Sequence, residues 1–255
     1  MTTFFNWFGQ LVQYLRTLAT ISLLCFIFTW SLPAQAATRI DPQLEQQVLQ
    51  IIREHPETII ESVQAYQQKQ QEKINEARQG FLQDFKTNPQ TVIGNSPTKG
   101  STQAKILLVE FSDFQCPYCA EANKTLKQLL AKYPDKIRLV YKNLPLVAIH
   151  SQALPAAAAA WAAHQQGKFW EYNDALFTNQ KKLGNSLYLD IAKNLNLDLD
   201  KFKRDLTIAT PAITKDIELA QKLAVSGTPF FVINSPTVSG VVQLSDIETI
   251  LADAK

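Results

Sequence analysis

The apolar positions of the chain fall into three regimes. From Asp41-Pro42 onward they recur at helical spacing, at Leu44, Val48, Ile51 and Ile52. Past Pro56 they continue at Ile59, Ile60, Val63, Tyr66, Ile74, Ala77, Phe81 and Phe85. Asp41 offers a capping carboxylate, Pro42 suits a first helical position, and Pro56 breaks or restarts the helix. A polar run, Gln67-Gln68-Lys69-Gln70-Gln71-Glu72-Lys73, separates the greasy positions. The pattern predicts a helical arm over residues 37–87 with one narrow apolar seam. Such a seam must be covered, either by the protein's own domain or by a second copy docking along residues 41–86.

Turn residues then crowd together in Asn88-Pro89, Gly94-Asn95-Ser96-Pro97 and Gly100-Ser101, which predicts a linker over 88–103. In the third regime, over 104–255, strand and helix patterns mix. The unbroken apolar run Ile106-Leu107-Leu108-Val109-Glu110-Phe111 predicts a buried strand within 105–114. An amphipathic helix over 116–133 follows, then a turn at Pro134-Asp135. Residues 137–141 form a second strand, parallel to the first because a helix lies between them. From about 150 to 223 strand signals stop, and helical segments at 156–163, 169–177, 187–195, 199–206 and 211–225 read as an insertion. Strand residues return at 229–234 and 238–242. A last helix over 245–254 has Ser245 as cap and Glu248 as its capping-box partner.

The first 36 residues read as a signal peptide. Residues 18–32 are nearly all apolar, follow Arg16, and lead to Pro33 and the small-x-small site Ala34-Gln35-Ala36. The run is short for a membrane span, although residues 4–15 are also rich in aromatic and aliphatic residues and leave an uncleaved anchor as the alternative. Cleavage after Ala36 removes Cys25 and leaves one cysteine pair, as suits an oxidising compartment.

Composition adds little beyond this. The chain has 255 residues, 46% hydrophobic, and a formal net charge of +2 that is mixed along its length, so nothing points to nucleic acid. There is no glycine-rich phosphate loop among its eight glycines.

The chemistry gathers at Cys116-Pro117-Tyr118-Cys119, where the first predicted strand hands over to a helix. A helix start offers unpaired backbone N–H groups and the positive end of the dipole. A thiolate there is stabilised and becomes reactive at neutral pH. Pro117 gives up an N–H that needs no partner in the first turn. Strand, Cys-x-x-Cys and helix together form the unit used for thiol–disulfide exchange. A zinc site would need two more soft ligands, and His55, His150 and His164 have no ligand spacing. A purely structural disulfide across so short a loop stabilises little. No cofactor or metal is expected.

Three separated motifs carry a family resemblance. Phe111-Ser112-Asp113-Phe114-Gln115-Cys116-Pro117-Tyr118-Cys119, the stretch from Gln166-Gly167-Lys168-Phe169-Trp170 to Phe177, and Gly227-Thr228-Pro229-Phe230-Phe231-Val232 resemble the DsbA-like thioredoxin-fold oxidoreductases, in the family's order. The arm, with His55-Pro56-Glu57, is similar to the N-terminal extension of secreted ScsC- and BdbD-like members. The resemblance implies an α/β chain, a thioredoxin fold with an inserted helical domain, preceded by the helical arm. It implies a cis peptide before Pro229, with the Thr228 backbone offered to a substrate strand. Taken alone, Thr228-Pro229 reads as an ordinary strand start.

Cys116 is the expected nucleophile, exposed at the helix start, and Cys119 the buried resolving thiol. Glu110 matches the family's buried acid, which implies a proton acceptor for Cys119; the lesser alternative is a solvent-facing strand carboxylate. Asp113 reads as a loop or turn acid. Tyr118 stands where some relatives carry a thiolate-stabilising histidine, so a less oxidising couple is expected.

The leading expectation is an oxidase acting on cysteines of exported polypeptides in a periplasm or thylakoid lumen, recycled by a membrane redox partner such as a quinone-linked oxidase or a reductase. The alternatives are an isomerase or reductase that uses an oligomerising arm, a copper- or polypeptide-binding thiol protein, and a glutaredoxin-like enzyme.

Overall fold

The computed structural model describes residues 41–234 and 239–253. The signal segment 1–36, with Arg16 and Cys25, lies outside them, as does the start of the strand expected at 238–242. The chain divides between Gln64 and Ala65 into two compact units.

In the first unit, helix α1 spans Pro42–Glu54. Asp41 caps it as expected, its carboxylate accepting from Gln43 N at 2.9 Å. His55 interrupts the helix and sits 3.1 Å from Glu57 in the first turn of α2, Pro56–Thr87. The apolar positions of this unit, Leu44, Val48, Leu49, Ile51, Ile52, Ile59, Ile60 and Val63, are all exposed.

The second unit holds the rest of α2, whose Phe81 and Phe85 are buried with ring centroids 5.6 Å apart. Its five-stranded sheet has the order β1-β3-β2-β4-β5. The strands are β1 Thr98–Gly100, β2 Ile106–Ser112, β3 Ile137–Asn143, β4 Phe230–Asn234 and β5 Ser239–Val242. β2 runs parallel to β3, with Glu110 opposite Tyr141, and antiparallel to β4, with Glu110 opposite Phe231. Every residue of β2 is buried, which explains why its sequence shows no alternation.

Strand periodicity nevertheless sorts the β2 side chains. Leu107, Val109 and Phe111 face one layer, with Phe81, Phe85 and Val140. Ile106 and Leu108 face the other, against Leu126 and Leu129 of α4, Pro117–Lys132, and Ile247 and Leu251 of the last helix. Glu110 and Ser112 share the parity of Ile106 and Leu108, so they continue the face covered by α4.

Between β3 and β4 come α5 Ala153–His164, α6 Phe169–Thr178, a 3-10 turn Gln180–Lys182, α7 Asn185–Asn194, α8 Leu199–Ile208 and α9 Thr210–Lys222. The alanines of α5 are buried nearly all round, because small side chains let neighbouring helices close on it. A buried ion pair, Lys142 Nζ to Asp216 Oδ1 at 3.2 Å, ties β3 to α9, and Asp216 Oδ2 also accepts from Asn143 N at 3.0 Å.

Two expectations need correction. Residues 88–103 do not form a bare linker: they carry the short helix α3, Pro89–Ile93, with Val92 and Ile93 buried, and β1, whose Thr98 pairs with Val140. A three-residue strand among turn residues leaves no periodic trace. The last helix, α10, begins at Leu244 rather than beyond Ser245. Ser245 therefore lies inside the first turn, its hydroxyl donating to Asp246 at 3.0 Å. Glu248, its expected capping partner, instead meets Lys132 at 2.6 Å.

Gly100 closes β1 at a φ of 99°, and a Cβ there would run into the Ile137 carbonyl oxygen. Gly100→Ala is expected to lower the unfolding free energy by about 2 kcal/mol, from strain alone, and a shift of the urea midpoint measures it.

Candidate active site

The site forms where β2 passes into α4. Cys116 is the N-cap of α4, with φ −72° and ψ 121°, and Pro117 takes the first helical position. The Cys116 carbonyl accepts from Cys119 N at 3.1 Å and Ala120 N at 3.3 Å, which starts the helix. Both cysteines carry free thiols.

Cys116 is not exposed as expected; only 4% of it is accessible. Its Sγ faces the Thr228 carbonyl at 3.3 Å, and the residue packs into the apolar cluster of the inserted helices. The Thr228–Pro229 peptide is cis. Tyr118, by contrast, points outward and is 74% exposed. Beside it opens a groove of about 370 Å³ lined by Tyr118, Thr228, Pro229, Phe230, Val242 and Leu244 among others.

Cys119 is fully buried and receives the Asp113 N–H on its Sγ at 3.5 Å. Burial pushes its thiol pKa strongly up, and Ser112, Thr228 and the Asp113 backbone only partly offset this. Glu110 lies behind it, 3% exposed. The solvent-facing alternative for this carboxylate is therefore excluded. Desolvation raises its pKa from 4.5 to about 7, with Ser112 drawing it back down. Tyr141, the register partner of Glu110, is driven well above its ordinary value, first by burial and then by Glu110. Among the described residues, Glu110 Oε1, Ser112 Oγ, Tyr141 OH and Thr228 Oγ1 are buried without a hydrogen bond of ordinary geometry. Ser112 is still near enough to act on the carboxyl, the thiol and the phenol together.

Asp113 does more than a turn acid. Its carboxylate accepts from Gln115 N at 2.7 Å and Leu146 N at 2.9 Å, and meets His150 Nδ1 at 2.8 Å. Its carbonyl accepts from Cys116 N at 3.1 Å. Gln180 escaped the sequence reading altogether. Its amide donates to the Phe114 carbonyl at 2.9 Å and the Cys116 carbonyl at 2.8 Å. A glutamine in a three-residue turn between helices carries no periodic or motif signal. Gln152 N likewise donates to Gln115 Oε1 at 2.7 Å. Among the described residues no group of three or more His, Cys, Asp or Glu is placed to hold a metal. Nor is any helix among them long and apolar enough to cross a membrane.

A dithiol at a helix start, facing the backbone before a cis-proline, on this sheet and with this insertion, defines the DsbA-like class of thioredoxin folds. The chain belongs to the thioredoxin family, whose model matches residues 92–253. It is similar to a thioredoxin-like oxidoreductase from Silicibacter pomeroyi, at 33% identity over 66% of this chain and 98% of that one, with a TM-score of 0.57. It is also similar to Proteus mirabilis ScsC in a transitional conformation, at 25% identity over 84% of this chain and 98% of that one, with a TM-score of 0.56. Among curated relatives, a Na(+)/H(+) antiporter NhaA of Salinispora tropica is 37% identical over 61% of this chain. The chain spans only 24% of that relative's length.

The raised Glu110 pKa has a consequence for stability. Between about 4.5 and about 7 the folded protein holds a proton that the unfolded chain releases. Stability therefore falls as pH rises through that window and is flat above it. The shift corresponds to about 3 kcal/mol. Glu110→Gln is expected to remove this fall, so that its gain over the parent is larger at pH 8 than at pH 5 in urea unfolding.

Proposed function

We propose that this chain is a protein thiol–disulfide oxidoreductase acting on cysteines of exported polypeptides, working as an oxidase. The observation that carries this reading is the Cys116 sulfur at the start of α4, 3.3 Å from the Thr228 carbonyl, with Cys119 enclosed behind it. In the disulfide form a substrate thiolate attacks Cys116 Sγ. The Cys116–Cys119 bond breaks, a mixed disulfide forms, and Cys119 leaves as thiolate and takes a proton. A second substrate thiolate then attacks the substrate sulfur of the mixed disulfide. A substrate disulfide departs and Cys116 is left reduced. Two electrons pass from substrate to enzyme, and a membrane redox partner of the quinone-linked type removes them.

Each expected site residue has a part. Thr228 and Pro229 border the groove, so an extended substrate segment can pair with the Thr228 backbone while apolar side chains settle beside Phe230 and Leu244. Glu110 supplies or accepts the Cys119 proton, because a carboxyl titrating at about 7 changes state readily at neutral pH. The N-terminal segment would direct export to a periplasm or thylakoid lumen. Exposed apolar residues on α1 and early α2 favour a second reading, in which copies associate through the arm and the enzyme isomerises or reduces disulfides.

Cys116→Ser is expected to abolish exchange activity in an insulin-reduction or peptide-oxidation assay, whereas a protein that only bound polypeptides would keep its affinity. Refolding of scrambled ribonuclease separates the two enzymatic readings. A faster full-length protein than one lacking residues 41–64 favours the isomerase, and equal rates remove it. With Tyr118 in the motif, the reduction potential is expected to lie below the value of about −120 mV typical of a strongly oxidising DsbA. Equilibration with glutathione measures it.

A further inference from the structure

We propose that Ser112 is the proton-relay residue of the buried half of the site, its hydroxyl passing the proton between the Cys119 thiol and the Glu110 carboxyl. The proposal rests on the reading above of Cys119 as resolving thiol and Glu110 as its acid.

Placement comes from the strand. Glu110 and Ser112 are two residues apart on β2 and face α4, the helix that carries Cys119. Asp113, the next residue, touches the Cys119 sulfur through its N–H. The register sets Tyr141 beside Glu110. Ser112 is 1% exposed, and its Oγ is buried without a hydrogen bond of ordinary geometry among the described residues. A buried, unmatched hydroxyl is destabilising where packing alone is wanted. Alanine would serve packing better, so the hydroxyl needs another reason. A serine hydroxyl rotates freely and both donates and accepts, which is what a relay requires.

The charged groups around it narrow the acceptor to one. Asp113, the first residue after β2, has its carboxylate engaged by Gln115 N, Leu146 N and His150. Lys142, on β3, is committed to Asp216. Tyr141, also on β3, is held neutral by burial. Glu110 keeps one oxygen, Oε1, without a partner of ordinary geometry.

In the reducing direction Cys116 begins joined to a substrate sulfur. The Cys119 proton moves to Ser112 Oγ as the hydroxyl's own proton moves to the Glu110 carboxylate. The Cys119 thiolate attacks Cys116 Sγ, forming the intramolecular disulfide. The Cys116–substrate bond breaks and its electron pair leaves on the substrate thiolate. The substrate is reduced, the dithiol is oxidised, and the oxidising direction runs the same path in reverse.

The test follows release of a fluorescent thiol from its mixed disulfide with Cys116 in the full chain, from about pH 5.5 to 9, against the Glu110 value of about 7. The parent rate should rise through an inflection near that value. Ser112→Ala should be slower by about 100-fold, the low end for a positioned proton-transfer group, and should lose the inflection. Ser112→Thr should recover both. Ser112→Thr and Ser112→Val differ by one hydroxyl, so that pair decides between relay and packing if the alanine variant does not fold. A Ser112→Ala protein with the parent's rate and inflection, beside a Glu110→Gln protein that loses them, overturns the relay and leaves the acid in place. Parent behaviour in both variants removes the acid and the relay together. Failure of Ser112→Thr to recover the rate assigns Ser112 to packing and overturns the relay.

Discussion

One side chain keeps the reactive loop in place. Asp113 binds the loop's own Gln115 N–H, the Leu146 N–H beyond β3, and His150 through one carboxylate that is wholly buried. Its carbonyl holds Cys116 N and its N–H reaches Cys119 Sγ. The two sulfurs are thus fixed relative to each other by the backbone of a residue whose side chain is fixed to the segment between β3 and α5. A buried carboxylate stripped of these partners would be costly, by several kcal/mol. The same bonds that make its burial tolerable give the dithiol a defined geometry.

Immediately behind that anchor the structure tolerates poorly matched polar groups. Glu110, Ser112, Tyr141 and Thr228 bring four buried polar atoms together without ordinary hydrogen bonds among the described residues. In a layer otherwise filled by Ile106, Leu108, Leu126 and Leu129, apolar side chains would be more stable. Destabilising choices on β2, on β3 and just before β4, around a buried sulfur, are best explained by what they do to protons there. The rest of β2 follows packing rules, and the departure from them begins at Glu110.

How far the sequence could be read follows from which forces are local. β2, α4, β3 and their parallel pairing are legible because an apolar run, a capping position and an intervening helix are all short-range signals. Glu110's burial is only half legible: periodicity gives its face, but what covers that face is a tertiary fact. β1 is invisible, since three residues among turn formers carry no pattern and the close approach of Gly100 to Ile137 is a tertiary contact. The shielding of Cys116 is also tertiary. A helix start predicts an accessible sulfur, and it is the Thr228 backbone, 112 residues away in sequence, that covers it. The boundary expected near 88–103 moved for a similar reason: Val92 and Ile93 are buried among residues far along the chain.

Gln180 shows why the helical insertion belongs to the chemistry. The carbonyl of Cys116 must start α4, yet it also accepts a hydrogen from a side chain of the insertion at 2.8 Å. The Phe114 carbonyl, on the other side of Gln115, accepts from the same amide at 2.9 Å. Gln115 is in turn held through its own side chain by Gln152 N at the start of α5. The loop is therefore clasped from two places in the insertion, the segment leading into α5 and the 3-10 turn after α6. A movement of the inserted helices against the sheet would pull on these three bonds before it reached any sulfur. The insertion thus sets how firmly Cys116 is presented, and a strand-to-helix joint that would otherwise be a flexible surface turn becomes a fixed platform for exchange.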